Sequence, residues 1–307
     1  MPHAQALFRS RRRKGSAHTC RAAAAQTRGS RGIIITTIFA SLLLPSLVAA
    51  QKPAVNSLRD LELCNGSERS SLDSRISGCS RLIDSHQSTA AALAISYNNR
   101  GNAYVAKSDY DRAIQDFNES IKLAPDFAKP YNNRGVAYLL MGEYDLAIQT
   151  LDRAIRLDPG YAKAFANRAA AHLKKNEYDR ALPDHDEAIR LTPDLDQIWG
   201  GRCWTRAVLG ALQTALEDCN RALQSELNKA ATYDSRGMVH LKMGALDAAV
   251  EDYSSALTFD PKLASSLYGR GLARLKMGDM TGGNADISAA KAVRSTIVED
   301  FLRYGVR

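Results

Sequence analysis

With 307 residues, 45% of them apolar, the chain is long enough for one large domain, two small ones or an elongated array with a true core. Its formal net charge of +8 raises the question of nucleic acid or membrane binding. Arg9, Arg11, Arg12, Arg13, Lys14, Arg21, Arg28 and Arg31 all fall in residues 1–50, which hold no Asp or Glu; 41 basic residues less these eight leaves 33 against 33 acidic, so charge gives no support for nucleic-acid binding by the rest.

Residues 1–50 read as an export leader. The basic stretch runs into "IIITTIFASLLLPSLVAA", residues 33–50, which ends in small residues suited to cleavage after Ala50. A retained membrane anchor, facing the periplasm, is the alternative, because the apolar run nearly reaches spanning length. An Arg-rich start without acids also has the character of a mitochondrial presequence. Export makes the chain a periplasmic or envelope protein, with membrane contact only if the leader is kept. Cys20 would leave with the leader. Cys64, Cys79, Cys203 and Cys219 remain, an even number that favours disulfides in an oxidising compartment. Of the three connectivities, the sequence-local pairing is the simplest. No Cys-x-x-Cys spacing points to a metal.

Residues 51–93 contain "SRISGCSRLIDS", whose apolar spacing matches "RAIQDFNESIKL" further on. A degenerate helical pair is expected there, stapled by Cys64 and Cys79 and capping an array that begins at residue 94.

From residue 94 the chain repeats itself every 34 residues without insertion, over 94–127, 128–161, 162–195, 196–229, 230–263 and 264–297. Tyr97, Tyr131, Phe165, Trp199, Tyr233 and Leu267 form one row. Gly101, Gly135, Ala169, Cys203, Gly237 and Gly271 form another, and Ala113, Ala147, Ala181, Ala215, Ala249 and Gly283 a third. Tyr97, Gly101 and Tyr104 share one helix face, as do Ala113, Phe117 and Ser120. Gly142, Gly210, Gly244 and Gly278 suit left-handed helix ends, and Pro125, Pro159, Pro193 and Pro261 stop the second helix of four units. These rows resemble the tetratricopeptide (TPR) repeat family. The resemblance implies an all-α, right-handed superhelical solenoid of helix–turn–helix units. It also implies a binding role without catalysis or cofactor, in which the concave surface takes a peptide or protein.

One row is unusual for that family, which more often has Leu there: Arg100, Arg134, Arg168, Arg202, Arg236 and Arg270. A helical wheel puts them on the same side of each hairpin as Asp116, Asp184, Asp218, Asp252 and Asp286, predicting an internal, bidentate ladder. Thr150 breaks it in the second unit, so Arg134 must look elsewhere.

The expected groove lining in the first three units is Asn98, Asn102, Lys129, Asn132, Asn133, Lys163, Asn167 and Lys174, amides and lysines suited to a peptide backbone or carboxylate. Asn102, Asn133 and Lys163 also match part of a carboxylate-clamping pattern seen in some TPR proteins. The later lining is more apolar: Trp204, Met238, Tyr268 and Leu272, with Lys242 and Lys276 at the rim. Trp204 is the natural anchor, packing between neighbouring first helices being the other reading. The fourth unit lacks the closing proline and carries Cys203 and Cys219, which antiparallel packing sets about a turn out of line.

No phosphate loop or H-E-x-x-H is present. His172 and His185, beside Asp184 and Asp186, are the nearest thing to a metal or catalytic pair, yet both stand in rows that face the hairpin core. Val298, Phe301, Leu302 and Tyr304 give residues 298–307 an amphipathic face, expected to form a C-terminal capping helix. An assembly subunit, its groove filled by its own terminus or a second copy, is the rival to a free peptide groove.

Overall fold

The computed structural model describes residues 55–66, 70–85, 88–194, 196–225 and 228–306. The leader, and the export reading made on it, lie outside these residues. Among the described residues there are fifteen helices and no strand.

A short pair comes first, α1 (Val55–Asn65) and α2 (Leu72–Asp84). Six hairpins follow: α3 (Ala90–Ala106) with α4 (Tyr110–Leu123), α5 (Ala128–Met141) with α6 (Tyr144–Leu157), and α7 (Ala162–Lys174) with α8 (Tyr178–Leu191). Then come α9 (Asp196–Leu209) with α10 (Leu212–Ala222), α11 (Lys229–Met243) with α12 (Leu246–Phe259), and α13 (Ala264–Lys276) with α14 (Met280–Val293). The last helix, α15 (Ile297–Arg303), has no hairpin partner among the described residues.

The small-residue row explains how tightly each hairpin closes. A Cβ on Gly101 would lie 2.6 Å from the Phe117 ring, and one on Gly135 would lie 2.6 Å from Leu151. The two helices cross there with a side chain from the second filling the space a first-helix side chain would need. The turn between helices is equally regular. Ser108, Gly142, Asn176, Gly210, Gly244 and Gly278, again 34 apart, all have φ between 60° and 90°. Glycine takes this left-handed conformation at no steric cost, and asparagine tolerates it. Ser108 and Asn176 complete a row in which the sequence signals only the glycines.

Pro125, Pro159, Pro193 and Pro261 each fall two residues beyond a helix end. The fourth unit has none, and α10 stops at Ala222, three residues short of the register of the other second helices. Pro183 sits inside α8 on its exposed side, and the helix continues past it to Leu191.

Each hairpin packs its second helix against the first helix of the next. Consecutive first helices also touch, α1 with α3 and so on to α11 with α13, while the second helices form no comparable packing with one another. The array therefore curls with its first helices on the inside, giving the right-handed superhelical solenoid and its concave surface.

Candidate functional site

The arginine row lies between repeats as well as within them. Nε and Nη2 of Arg100 donate to both carboxylate oxygens of Asp116 at 2.8 Å. Arg168 does the same to Asp184, Arg202 to Asp218, Arg236 to Asp252 and Arg270 to Asp286. Nη1 then points backwards to the second helix of the preceding unit. It reaches Ser80 from Arg100, Asn118 from Arg134, Asp152 from Arg168, Asp186 from Arg202, Asn220 from Arg236 and Ser254 from Arg270. Five of these acceptors stand in a single row two residues after the aspartate row, a signal the sequence carries at the same period. Each of the first five arginines with an aromatic partner, from Arg100 to Arg236, also lies over the ring three residues earlier, with centroid distances of 4.8–5.6 Å. In the second unit Thr150 offers no carboxylate, and Arg134 Nε is buried without a hydrogen-bond partner. Burial pushes the Asp116 carboxyl up while Arg100 pulls it down, the balance expected of a desolvated pair.

Four of the asparagines expected to line the groove, Asn98, Asn132, Asn133 and Asn167, are turned toward one another. Asn99 donates to Asn65, Asn133 to Asn98 and Asn167 to Asn132, at 3.1, 2.8 and 2.9 Å. Asn98 and Asn132 complete the chain through their sequence neighbours. The result is an amide spine joining α1, α3, α5 and α7, with Asn98, Asn132 and Asn167 buried. First helices approach closely on the inside of the curve, so a short amide there meets its counterpart before it meets solvent. The carboxylate-clamp pattern loses Asn133 by the same bond.

Lys129 and Lys163 are exposed on adjacent first helices, and Asn102 is half-buried on α3. Lys174 is half-buried, and burial, with Arg294 nearby, lowers its ammonium pKa.

The second half of the concave surface is covered by the chain itself. Helix α15 packs on α13 and α14, and the segment then turns at Gly305. Tyr304 meets Trp204 edge to face at 4.9 Å, and Phe301 meets Tyr268 in the same way at 4.7 Å. Ile297, Phe301, Tyr304 and Val306 are buried, and Met238 beneath them is only 1% exposed. Lys242, expected on the rim, is fixed: its Nζ donates to the carbonyls of Ala207, Val208 and Tyr304 at 2.8, 3.2 and 2.9 Å. Burial lowers its pKa. Trp204 is thus neither an open anchor nor a bridge between neighbouring first helices alone, because its ring also holds the C-terminal segment.

The histidines do not form a pair. His172 Nδ1 lies 2.7 Å from Glu177, whereas both ring nitrogens of His185 are buried without partners and its ring abuts Gly201. Burial lowers the His185 pKa to about 4. No group of three His, Cys, Asp or Glu side chains among the described residues is placed to hold a metal ion. Cys64 and Cys79 have Cα atoms 4.6 Å apart, and Cys203 and Cys219 5.3 Å apart, each in a bonded pair. The offset expected for Cys203 does not arise, because it occupies the small-residue row that faces the row of Cys219 directly. No described helix is long and apolar enough to cross a membrane.

The family described as TPR repeat matches residues 101–142 and 237–278, and the one described as Tetratricopeptide repeat matches residues 128–161. The chain belongs to the tetratricopeptide repeat family. A tetratricopeptide repeat protein from Parabacteroides merdae ATCC 43184 superposes with a TM-score of 0.57 at 15% identity, over 81% of this chain and 99% of that one. A chain of the APC/C hetero-tetramer Cut9-Hcn1 gives 0.60 at 17% identity, over 76% of this chain and 49% of that one. At these identities the two likenesses show a shared fold and nothing further. The second TPR domain of human RPAP3, solved with an HSP70 peptide, is 31% identical over 37% of this chain and 94% of that one, with a TM-score of 0.36. No curated protein sequence matches the chain.

Proposed function

We propose that this TPR chain is a non-catalytic scaffold of the periplasm or cell envelope that docks a peptide segment of a partner protein along the concave face of its first three repeats. The supporting observation is the contrast between the two halves of that face. Over α3, α5 and α7 it presents Lys129 and Lys163 exposed, with no ion pair to either among the described residues. From α9 onward it is occupied by α15 and Tyr304. A surface with two cations and half-buried amide groups suits a peptide carrying carboxylates. The closely set cysteine pairs suit an oxidising compartment.

The test is capture of partners from the envelope fraction by the exported form, followed by their identification. The same capture is then repeated with Lys129→Glu and Lys163→Glu together. Loss of the captured protein with an unchanged melting curve supports docking in the first half. Unchanged capture refutes it.

Self-association is the second reading, favoured by Leu209, Met243 and Met277. These stand in one row at the hairpin turns, each 38–48% exposed. Light scattering of the mature protein across concentration separates the two readings.

A further inference from the structure

The C-terminal segment has the geometry of a bound ligand. It lies on side chains from α9, α11 and α13, three separate first helices, through two edge-to-face ring contacts and one cation on a backbone carbonyl. That is how a concave repeat surface takes a short peptide: aromatic anchors in pockets, with main-chain groups tied to a few fixed polar side chains. We propose that Ile297–Val306 is an intramolecular ligand closing the concave surface of repeats four to six. Once it leaves, the same surface takes a partner segment with two aromatic residues three apart, as Phe301 and Tyr304 are.

Three observations favour a segment that leaves over a fixed cap. First, α15 has seven residues, well below the roughly 12–15 at which a helix sustains itself. Second, the surface beneath is assembled without it. Two of the three Lys242 bonds go to carbonyls at the end of α9, so the ammonium stays in place when Tyr304 departs. Third, the segment follows the last hairpin directly, and its outer side, with Glu299, Leu302 and Arg303, faces solvent. Its inner side is buried, with Asp300 paired to Arg294 and Arg303, so release is a local opening of this one short element below the global unfolding free energy. This device is independent of docking over the first three repeats, because α3, α5 and α7 contribute none of these anchoring contacts.

The experiment uses the full chain carrying Phe301→Ala and Tyr304→Ala, with a fluorescein-labelled synthetic peptide of residues 296–306 as the probe. The expected result is binding by the double variant at least tenfold tighter than by the unaltered chain, lost again when Trp204→Ala is added, and no binding of a scrambled peptide. Equal binding by both chains, or none by either, overturns the proposal. Hydrogen exchange on the unaltered chain keeps the test decisive if the variant folds poorly. Amides of residues 301–306 should exchange at least tenfold faster than those of α13, whereas equal rates make the segment a fixed part of the core. A dimer in which the C-terminal segments have changed places between two copies overturns the intramolecular form.

Discussion

Arg168 donates its Nη1 to Asp152, 2.5 Å away on the second helix of the repeat before its own. Its other two nitrogens hold Asp184 in the same hairpin. One guanidinium therefore closes a hairpin and fixes the stacking of two hairpins at once. Only a planar fork with several donors can do both, so lysine is no substitute. Arg168→Leu leaves buried Asp184 without its counter-charge and should cost about 3–5 kcal/mol in urea unfolding, whereas Arg236→Leu leaves Asp252 with His240 still 2.9 Å away and should cost less. Arg134→Leu removes no carboxylate partner and should stay within about 1 kcal/mol of the unaltered chain. Equal losses at all three positions would contradict the ladder.

The amide spine predicts a local effect. Asn132 accepts from Asn167 and donates to Asn133. Asn132→Leu leaves buried amide groups unpaired at two neighbouring first helices, at a cost of about 1–3 kcal/mol. Hydrogen exchange should quicken in α5 and α7 and stay unchanged in α13.

Two buried groups give opposite pH dependences. Burial keeps His185 neutral down to about 4, below the usual 6.5. The unfolded chain takes up that proton first, so His185 costs nothing above pH 6.5 and lowers stability as the pH falls toward 4. Asp234, buried and accepting from Ser265 and Ser266, is raised by burial to about 6 from the usual 3.8. The folded chain keeps a proton that the unfolded chain has released, so its contribution is present below pH 3.8 and lost as the pH rises through 6. The slopes oppose each other between pH 4 and 6 and conceal one another in the unaltered protein. His185→Leu should expose a stability that falls with rising pH there, and Asp234→Asn one that rises. At about pH 7 Asp234→Asn should be more stable, by on the order of 2 kcal/mol. Thermal melts at half-unit pH steps decide both.

The cysteine pairs predict redox sensitivity. Each closes a loop of about 15 residues, for which chain entropy gives roughly 3 kcal/mol. Reduction should lower the melting temperature, by less when Cys203 and Cys219 are both serine. Peptide mapping without reductant should show Cys64 joined to Cys79 and Cys203 to Cys219. Any crossed pair contradicts the geometry.

Most of the architecture is local and periodic, which is why it is legible in the sequence. A 34-residue period with small residues at the helix crossings dictates helix, turn and stacking partner through neighbours at fixed sequence distance. The arginine and aspartate rows are visible for the same reason, and so is the backward acceptor row from Asn118 to Ser254. What periodicity does not give is which way a polar side chain turns on a crowded inner surface. A helical wheel places Asn98 and Asn132 in the groove because it carries no curvature, and it is curvature that presses first helices together until amides pair. The cover on the second half is beyond any row. Lys242 and Tyr304 are 62 residues apart, Trp204 and Tyr304 one hundred, and no repeat relates them. Their meeting depends on how far the solenoid winds over three units, a sum of small rotations that only the folded chain resolves.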